Sequence, residues 1–339
     1  MTELPPNTAA DVDLDVTSEP VTASRRGGTA TRLVTLVGLV MGLGAVGFVV
    51  RTLVHEWPRV SKEIDRADGW WLVLAVGCAV AAMTSIGWGW RGVMKTLGVQ
   101  APLRRVIPWY YVGELGKYLP GGVWPVLGRG ELARRGGVPR SRAYASVAMS
   151  LGILYLSAMF VAAAFLPFAL TGGGFDVSML ALLALPIGVT ILHHDVLARL
   201  VALVARLTKR EIDVEIPAWK DSLLLVLRYV PTWLLIGTAT WAVARSLTSD
   251  LDYPRVMFAT VLSWTVGFLA VPVPSGAGIR EAVLYATSGL DHAQSVFTAV
   301  TARLIFVVVD VGGAAICAPI VRRMRGGATV SPVGAPDDR

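Results

Sequence analysis

Charge is scarce in this chain. Asp, Glu, Lys and Arg make up 16% of its 339 residues, against about 25% in soluble domains, and no stretch between the apolar runs is long enough for a soluble domain of useful size. Cysteine is scarcer still. Cys78 and Cys317 are the only two, each inside an apolar run, where a lone thiol reads as a small buried hydrophobe and not as half of a disulfide or a metal pair. His193 and His194 stand beside Asp195, but adjacent side chains on a helix diverge and no third ligand is in view, so no metal site is expected. A Walker loop, an H-E-x-x-H pair, a G-x-S-x-G elbow and a dinucleotide fingerprint are all missing. Enzymes of those classes are therefore not expected, nor is a cofactor, and any transport is expected to run downhill or coupled to an ion.

Apolar residues are abundant, at 54% of the chain with a mean hydropathy of +0.59, the composition of an integral membrane protein. The net charge of +7 could suggest nucleic acid in a soluble protein. Here the Lys and Arg cluster beside apolar runs, so positive-inside topology accounts for it and no nucleic-acid partner is expected. Runs long enough to cross a bilayer, which takes about 20 residues, occupy 33–54, 70–90, 143–170, 178–194, 222–246 and 294–321. Residues 1–32, rich in Pro, Ser, Thr and acids, read as a disordered cytosolic tail, and 324–339 as a second one. Between them, 33–323 forms the membrane domain.

Two further apolar regions, 106–135 and 256–290, are interrupted by Pro and Gly. Arg91, Lys95, Arg104 and Arg105 precede the first, and Arg134, Arg135, Arg140 and Arg142 follow it, so both of its ends belong on the cytosolic side. Its halves, Trp109–Leu119 and Val123–Arg135, are too short to span alone, and a re-entrant hairpin is expected. With the N-terminus inside, 171–177 lies outside. A second hairpin over 256–290, entering from outside, returns Arg322, Arg323 and Arg325 to the cytosol. The expected fold is all-α: six full spans and two re-entrant hairpins in the plasma membrane, both termini cytosolic. Residues 70–170 and 222–321 are then inverted repeats, and Pro120-Gly121-Gly122 followed by Arg129 and Glu131 is echoed by Pro274-Ser275-Gly276 followed by Arg280 and Glu281.

An ionisable side chain at bilayer depth costs about 2.5–3.5 kcal/mol on insertion scales and needs a partner or a task. Glu114 and Lys117, three residues apart, can neutralise each other, and Arg303 and Asp310 share a face of the last span. Glu114, Lys117, Glu131, Glu281, Asp310 and Arg228 are read as supporting ion pairs. Cations nevertheless exceed anions, and an anionic ligand would restore balance. After each break a new half-helix begins with free N–H groups, a ready anion site. The expected lipid-phosphate site comprises Pro120, Gly121, Gly122 and Arg129 at one tip, Pro274, Gly276, Gly278 and Arg280 at the other, and Arg303 between them. Trp109, Tyr110, Tyr111, Tyr118 and Trp124 surround the first hairpin, Trp109 and Tyr110 serving equally well as interfacial anchors. Trp70, Trp71, Trp88 and Trp90 read as interfacial belts.

At GKYLPGGVWPVLGR (116–129) and VPVPSGAGIREAVL (271–284), the chain resembles the flippase-like membrane family related to the lysylphosphatidylglycerol synthase transmembrane region, over roughly 33–323. Ser275 stands where that family commonly has Gly. The resemblance implies a polytopic helical domain with re-entrant elements that moves phospholipids or is associated with polyprenyl-phosphate sugars. The full synthase carries a large soluble aminoacyl-transfer domain after its membrane part, and none follows Val321 here, so aminoacylation is not expected. The leading expectation is a flippase or scramblase-like transporter of an anionic lipid or lipid-linked precursor. The alternatives are a membrane enzyme using Glu131 or Glu281 as general base, and an accessory subunit of a separate glycosyltransferase or synthase in envelope glycoconjugate synthesis.

Overall fold

The structure, a computed structural model, describes residues 51, 54, 67–118, 123–169, 219–269 and 278–324. The expected spans 33–54 and 178–194, both tails, and the tips with Pro120, Gly121, Gly122, Pro274 and Gly276 lie outside these residues, save Arg51, Val54 and Met324. Among the described residues every regular element is helical. They are α1 (Gly69–Thr96), α2 (Leu103–Glu114) continued by a 3-10 turn (Leu115–Tyr118), α3 (Trp124–Arg135), α4 (Arg140–Ala169), α5 (Trp219–Arg245), α6 (Tyr253–Leu269), α7 (Ile279–Ser288) and α8 (His292–Met324). Among the described residues, four stretches are long and apolar enough to cross a membrane: Gly69–Thr96, Arg140–Ala169, Leu223–Arg245 and His292–Met324. They coincide with the expected spans at 70–90, 143–170, 222–246 and 294–321, and the chain is a polytopic membrane protein.

Local chemistry sets the boundaries. Asp68 accepts a hydrogen bond from the Trp70 N–H at 3.0 Å and caps α1. The first arm of the broken region starts at Leu103, six residues ahead of the expected Trp109, because Pro102 opens a helix that takes in Arg104 and Arg105. That α-helix ends at Glu114 and not at Leu119. The chain tightens into the 3-10 turn as Pro120 nears, since a proline ring disfavours α geometry in the residue before it. α7 is only ten residues long and is held at both ends: Glu281 accepts from the Gly278 N–H at 2.6 Å, and Gly278 and Gly289 take the left-handed φ values of 83° and 76°.

α1 lies against α5. α2 packs on α3 and α8, while α6 packs on α7 and α4. Further packed pairs are α3 with α4, α7 with α8, α1 with α2, and α5 with α6, together with α1 against α4 and α8, and α5 against α8 and α4. Close approach relies on small residues, as is usual where lipid supplies no hydrophobic drive between helices. A Cβ on Gly89 of α1 would stand 2.5 Å from the Tyr229 ring of α5. Large aromatic side chains fill the remaining space, several with their polar ends hydrogen-bonded. The Trp233 indole donates to the Leu154 carbonyl at 2.7 Å, and the Tyr229 hydroxyl meets Ser150 at 2.6 Å.

Trp90 is one of these core residues and not an interfacial belt. It is fully buried and donates to Ser146 at 3.0 Å. Trp109 and Tyr110 are likewise buried core residues and not interfacial anchors. Each lies on the packed side of its helix, where a hydroxyl or sulfur accepts its proton or a glycine makes room. Trp70 is exposed, in keeping with the belt reading.

Candidate functional site

α2 and α3 form the two arms of the first hairpin, and glycines bring their backbones together. A Cβ on Gly113 would stand 2.7 Å from the Arg129 backbone nitrogen, and one on Gly116 would stand 2.7 Å from the Trp124 carbonyl carbon. Arg129 is thereby buried, with its guanidinium 4.6 Å from the centre of the Tyr110 ring and an ion pair to Glu114. Its Nε and Nη1 have no hydrogen-bond partner. Glu114 is shared with Lys117, at 3.5 Å, and Lys117 Nζ in turn lies 2.6 Å from Asp310 Oδ2 on α8. The Tyr118 hydroxyl donates to the same oxygen at 2.6 Å. Glu114 and Lys117 therefore do more than neutralise each other. They are the middle of a chain, Arg129–Glu114–Lys117–Asp310–Tyr118, that ties the first hairpin to the last span.

The second hairpin, α6 and α7, repeats the arrangement with one substitution. A Cβ on Gly267 would stand 2.5 Å from Arg280 Cγ, and the Arg280 guanidinium lies 4.4 Å from the centre of the Trp264 ring. The aromatic residue precedes the glycine by three positions in both arms: Tyr110 and Gly113 in one, Trp264 and Gly267 in the other. Ser263 donates to the Arg280 carbonyl at 2.8 Å and helps fix the start of α7. The residue after the glycine differs. Where the first arm has Glu114, the second has Phe268, stacked on Tyr155 of α4 with ring centres 3.9 Å apart. Among the described residues Arg280 consequently has no carboxylate partner, and its Nε is buried without a hydrogen bond. Its neighbour Glu281 turns to the Gly278 N–H and to Arg303, whose Nη1 lies 3.3 Å away.

α8 thus offers Arg303 to the second hairpin and Asp310 to the first, two turns or about 10 Å apart along the axis. Among the described residues this region holds the cations Lys117, Arg129, Arg280 and Arg303 against the carboxylates Glu114, Asp310 and Glu281. One positive charge is left over, and Arg280 carries it.

Two expected members stand elsewhere. Glu131 faces the far end of α3, where it accepts from Arg134 at 2.7 and 2.8 Å and from Arg135 at 2.7 Å. The Arg134 guanidinium, with Arg135 beside it, holds the Glu131 carboxyl down at about 2. Among the described residues Arg228 makes no ion pair. It stacks on Trp88 with its guanidinium carbon 3.6 Å from the ring centre, and Gly92 leaves space for its stem. The reading of Arg228 as an ion-pair member finds no partner among the described residues, and the exposed Trp88 is its stacking partner. Gly278 heads α7 beneath the Glu281 carboxylate. Residues that the sequence reading did not single out are Gly113, Gly267, Trp264, Phe268 and Tyr155. The signal for Gly113, Gly267 and Phe268 was there to see: Val112-Gly113-Glu114-Leu115 recurs as Val266-Gly267-Phe268-Leu269.

These features define a polytopic helical membrane protein whose interrupted helices carry an ionic network into the bundle. The family model for the lysylphosphatidylglycerol synthase TM region matches residues 35–312, and the chain belongs to that family. Comparison with curated proteins finds no match.

Proposed function

We propose that the protein is a flippase or scramblase-like transporter, not an enzyme, that moves an anionic phospholipid or a polyprenyl-phosphate-linked precursor across the plasma membrane. The observation that carries this reading is Arg280, a buried-stem guanidinium without a carboxylate, where the matching arginine of the first hairpin has one. An unpaired cation in low dielectric is costly, and a lipid phosphate supplies both the missing charge and a bidentate acceptor. Arg303 of α8, and Lys117 paired to Asp310 of α8, are further cations to share it. In this reading the hairpins are re-entrant, and the spans on either side keep the lipid tail in the bilayer while the head group crosses between the tips.

The packing supports an internal repeat. When α1–α4 are exchanged with α5–α8, each principal packed pair falls on another packed pair: α2 with α8 becomes α6 with α4, and α3 with α4 becomes α7 with α8. A membrane domain whose two halves exchange in this way offers one site to two sides in turn, and inverted repeats with broken helices are the usual transporter form of it. In the proposed orientation both termini are cytosolic.

The test is reconstitution in liposomes with fluorescent phosphatidylglycerol or a polyprenyl-phosphate sugar. Arg280→Ala is expected to slow movement between leaflets by about 10- to 100-fold, the loss of one charge-assisted contact. Equal rates in the two proteins would sink the assignment. The enzyme alternative calls for a free general base, and neither Glu131 nor Glu281 is free. Mass spectrometry separates the two readings, because a transporter returns its lipid chemically unchanged.

A further inference from the structure

We propose that Asp310 is a proton-binding site linked to the anion site, so that an anionic head group is bound together with a proton; this rests on the reading of the protein as an anionic-lipid transporter. Asp310 is completely buried on α8, and its two oxygens are treated unequally. Oδ2 takes Lys117 Nζ at 2.6 Å and the Tyr118 hydroxyl at 2.6 Å, whereas Oδ1 has no partner. A carboxylate in such a place stays ionised only while a cation answers it. That cation is Lys117, and Lys117 is the accessible member of the pair: its side chain is 23% exposed, against 0% for Asp310. An anion arriving at the hairpins can reach Lys117 and cannot reach Asp310. Once the ammonium turns to the phosphate, the Asp310 carboxylate is left buried without its counter-charge, and it takes up a proton. The neutral acid then keeps the Tyr118 hydroxyl and has an O–H of its own to place.

The remaining groups around Asp310 leave this role to it. From α2 it is faced by Tyr110 and Tyr111, which are neutral, and by Glu114, which keeps Arg129 of α3 when Lys117 departs. From α1, Thr84 meets the Tyr111 hydroxyl at 3.0 Å and does not titrate. On α8 itself stand Cys317, beside Tyr111, and Arg303, which holds Glu281 of α7. Arg280 of α7 acts on Tyr118 and not as a partner of Asp310. Among the described residues no ion pair or hydrogen bond joins α5 to Asp310. Linkage makes the effect reciprocal: if the anion promotes protonation, protonation promotes anion binding by the same factor. A pH difference across the membrane would then bias the distribution of the lipid between leaflets.

Proton uptake on binding is measured directly by calorimetry in two buffers of different ionisation enthalpy. The full-length protein in detergent is titrated with dioctanoyl-phosphatidylglycerol, whose phosphodiester does not titrate near neutral pH. The wild-type protein is expected to take up about one proton per lipid bound, and its affinity to fall about tenfold per pH unit where uptake is complete. Asp310→Asn should bind with no uptake and no such slope, while Asp310→Glu retains uptake. Lys117→Gln is a second, independent variant. It removes the cation whose departure drives the uptake, so its binding is expected to bring no proton. Absence of uptake in the wild-type protein, or uptake that persists in Asp310→Asn or Lys117→Gln, overturns the inference. Uptake without any movement of fluorescent phosphatidylglycerol between the leaflets of liposomes would leave the proton site standing and overturn the transport reading.

Discussion

The side chain of Arg280 lies across Gly267, close enough that a Cβ there would stand 2.5 Å from its Cγ and 2.7 Å from its Nε. The glycine is thus part of how the arginine is aimed: the stem runs over the bare backbone, and the guanidinium comes to rest beside the Trp264 ring. The three nearest atoms at that position are all side-chain atoms of Arg280, so an added methyl can be met by turning that chain away. Gly267→Ala is expected to cost about 1 kcal/mol or less in stability, yet to slow anionic-lipid movement in liposomes about tenfold. Rates equal to wild type would mean that the pose of Arg280 does not matter to transport.

Gly113 is the matching glycine of the first hairpin, and its surroundings are harder. A Cβ there would stand 2.7 Å from the backbone nitrogen and 2.9 Å from the Cα of Arg129. Backbone atoms cannot rotate aside, so the arms themselves must part. Gly113→Ala should destabilise the protein by about 1–3 kcal/mol or more, clearly more than Gly267→Ala. Thermal unfolding in the same detergent compares them, and equal melting temperatures would contradict the asymmetry.

The Arg129–Glu114 pair is buried, and it predicts a second contrast. Removing one partner strands the other charge, so Glu114→Ala should lower stability by about 3–5 kcal/mol. Replacing both with apolar side chains removes the stranded charge along with the pair. Glu114→Ala combined with Arg129→Met should recover most of the loss, which a double-mutant cycle on denaturation midpoints can read. Additive losses would show that the pairing is not what holds this hairpin to the bundle.

The long spans were legible in the sequence because 20 apolar residues in a row have few other uses, and α1, α4, α5 and α8 fall where the hydropathy puts them. The breaks were legible from Pro and Gly, although Pro102 and Pro120 move the ends of the first arm in ways that charge and length do not reveal. The ionic residues were identifiable one by one, and so was the Glu114–Lys117 pair, but partners far along the chain were not. Lys117 meets an acid 193 positions away, and no spacing rule reaches that far. Glu131 does stand in ion pairs, but with the arginines three and four residues on, which hold it at the far end of α3. The aromatic residues were misread for a simpler reason. Trp90 and Trp109 sit near the ends of apolar runs, and only packing shows that they turn inward.

Orientation is open to chemical labelling. After Cys78 and Cys317 are replaced by Ala, single cysteines are introduced at Gly173 and Gly278 and treated with a membrane-impermeant maleimide on intact cells. Both positions are expected to react from outside, Gly278 because the second hairpin is proposed to enter from that face. Reaction of the Gly278→Cys protein only after the membrane is opened would remove the inverted arrangement.

Glu131 separates transport from catalysis. Its carboxyl is held at about 2 by Arg134 and Arg135, below the ordinary value of 4.5. A depressed value means that its contribution to stability is fully present above about pH 4.5 and fades as pH falls toward 2, so nothing at Glu131 titrates between pH 5 and 8. The pair is largely exposed to solvent screening and contributes little in any case. Glu131→Gln is therefore expected to leave both the melting temperature near neutral pH and the pH profile of lipid movement between 5 and 8 unchanged, while Asp310→Asn flattens that profile. A general base at Glu131 would give the opposite result: Glu131→Gln would abolish turnover and a modified lipid would disappear from the product spectrum.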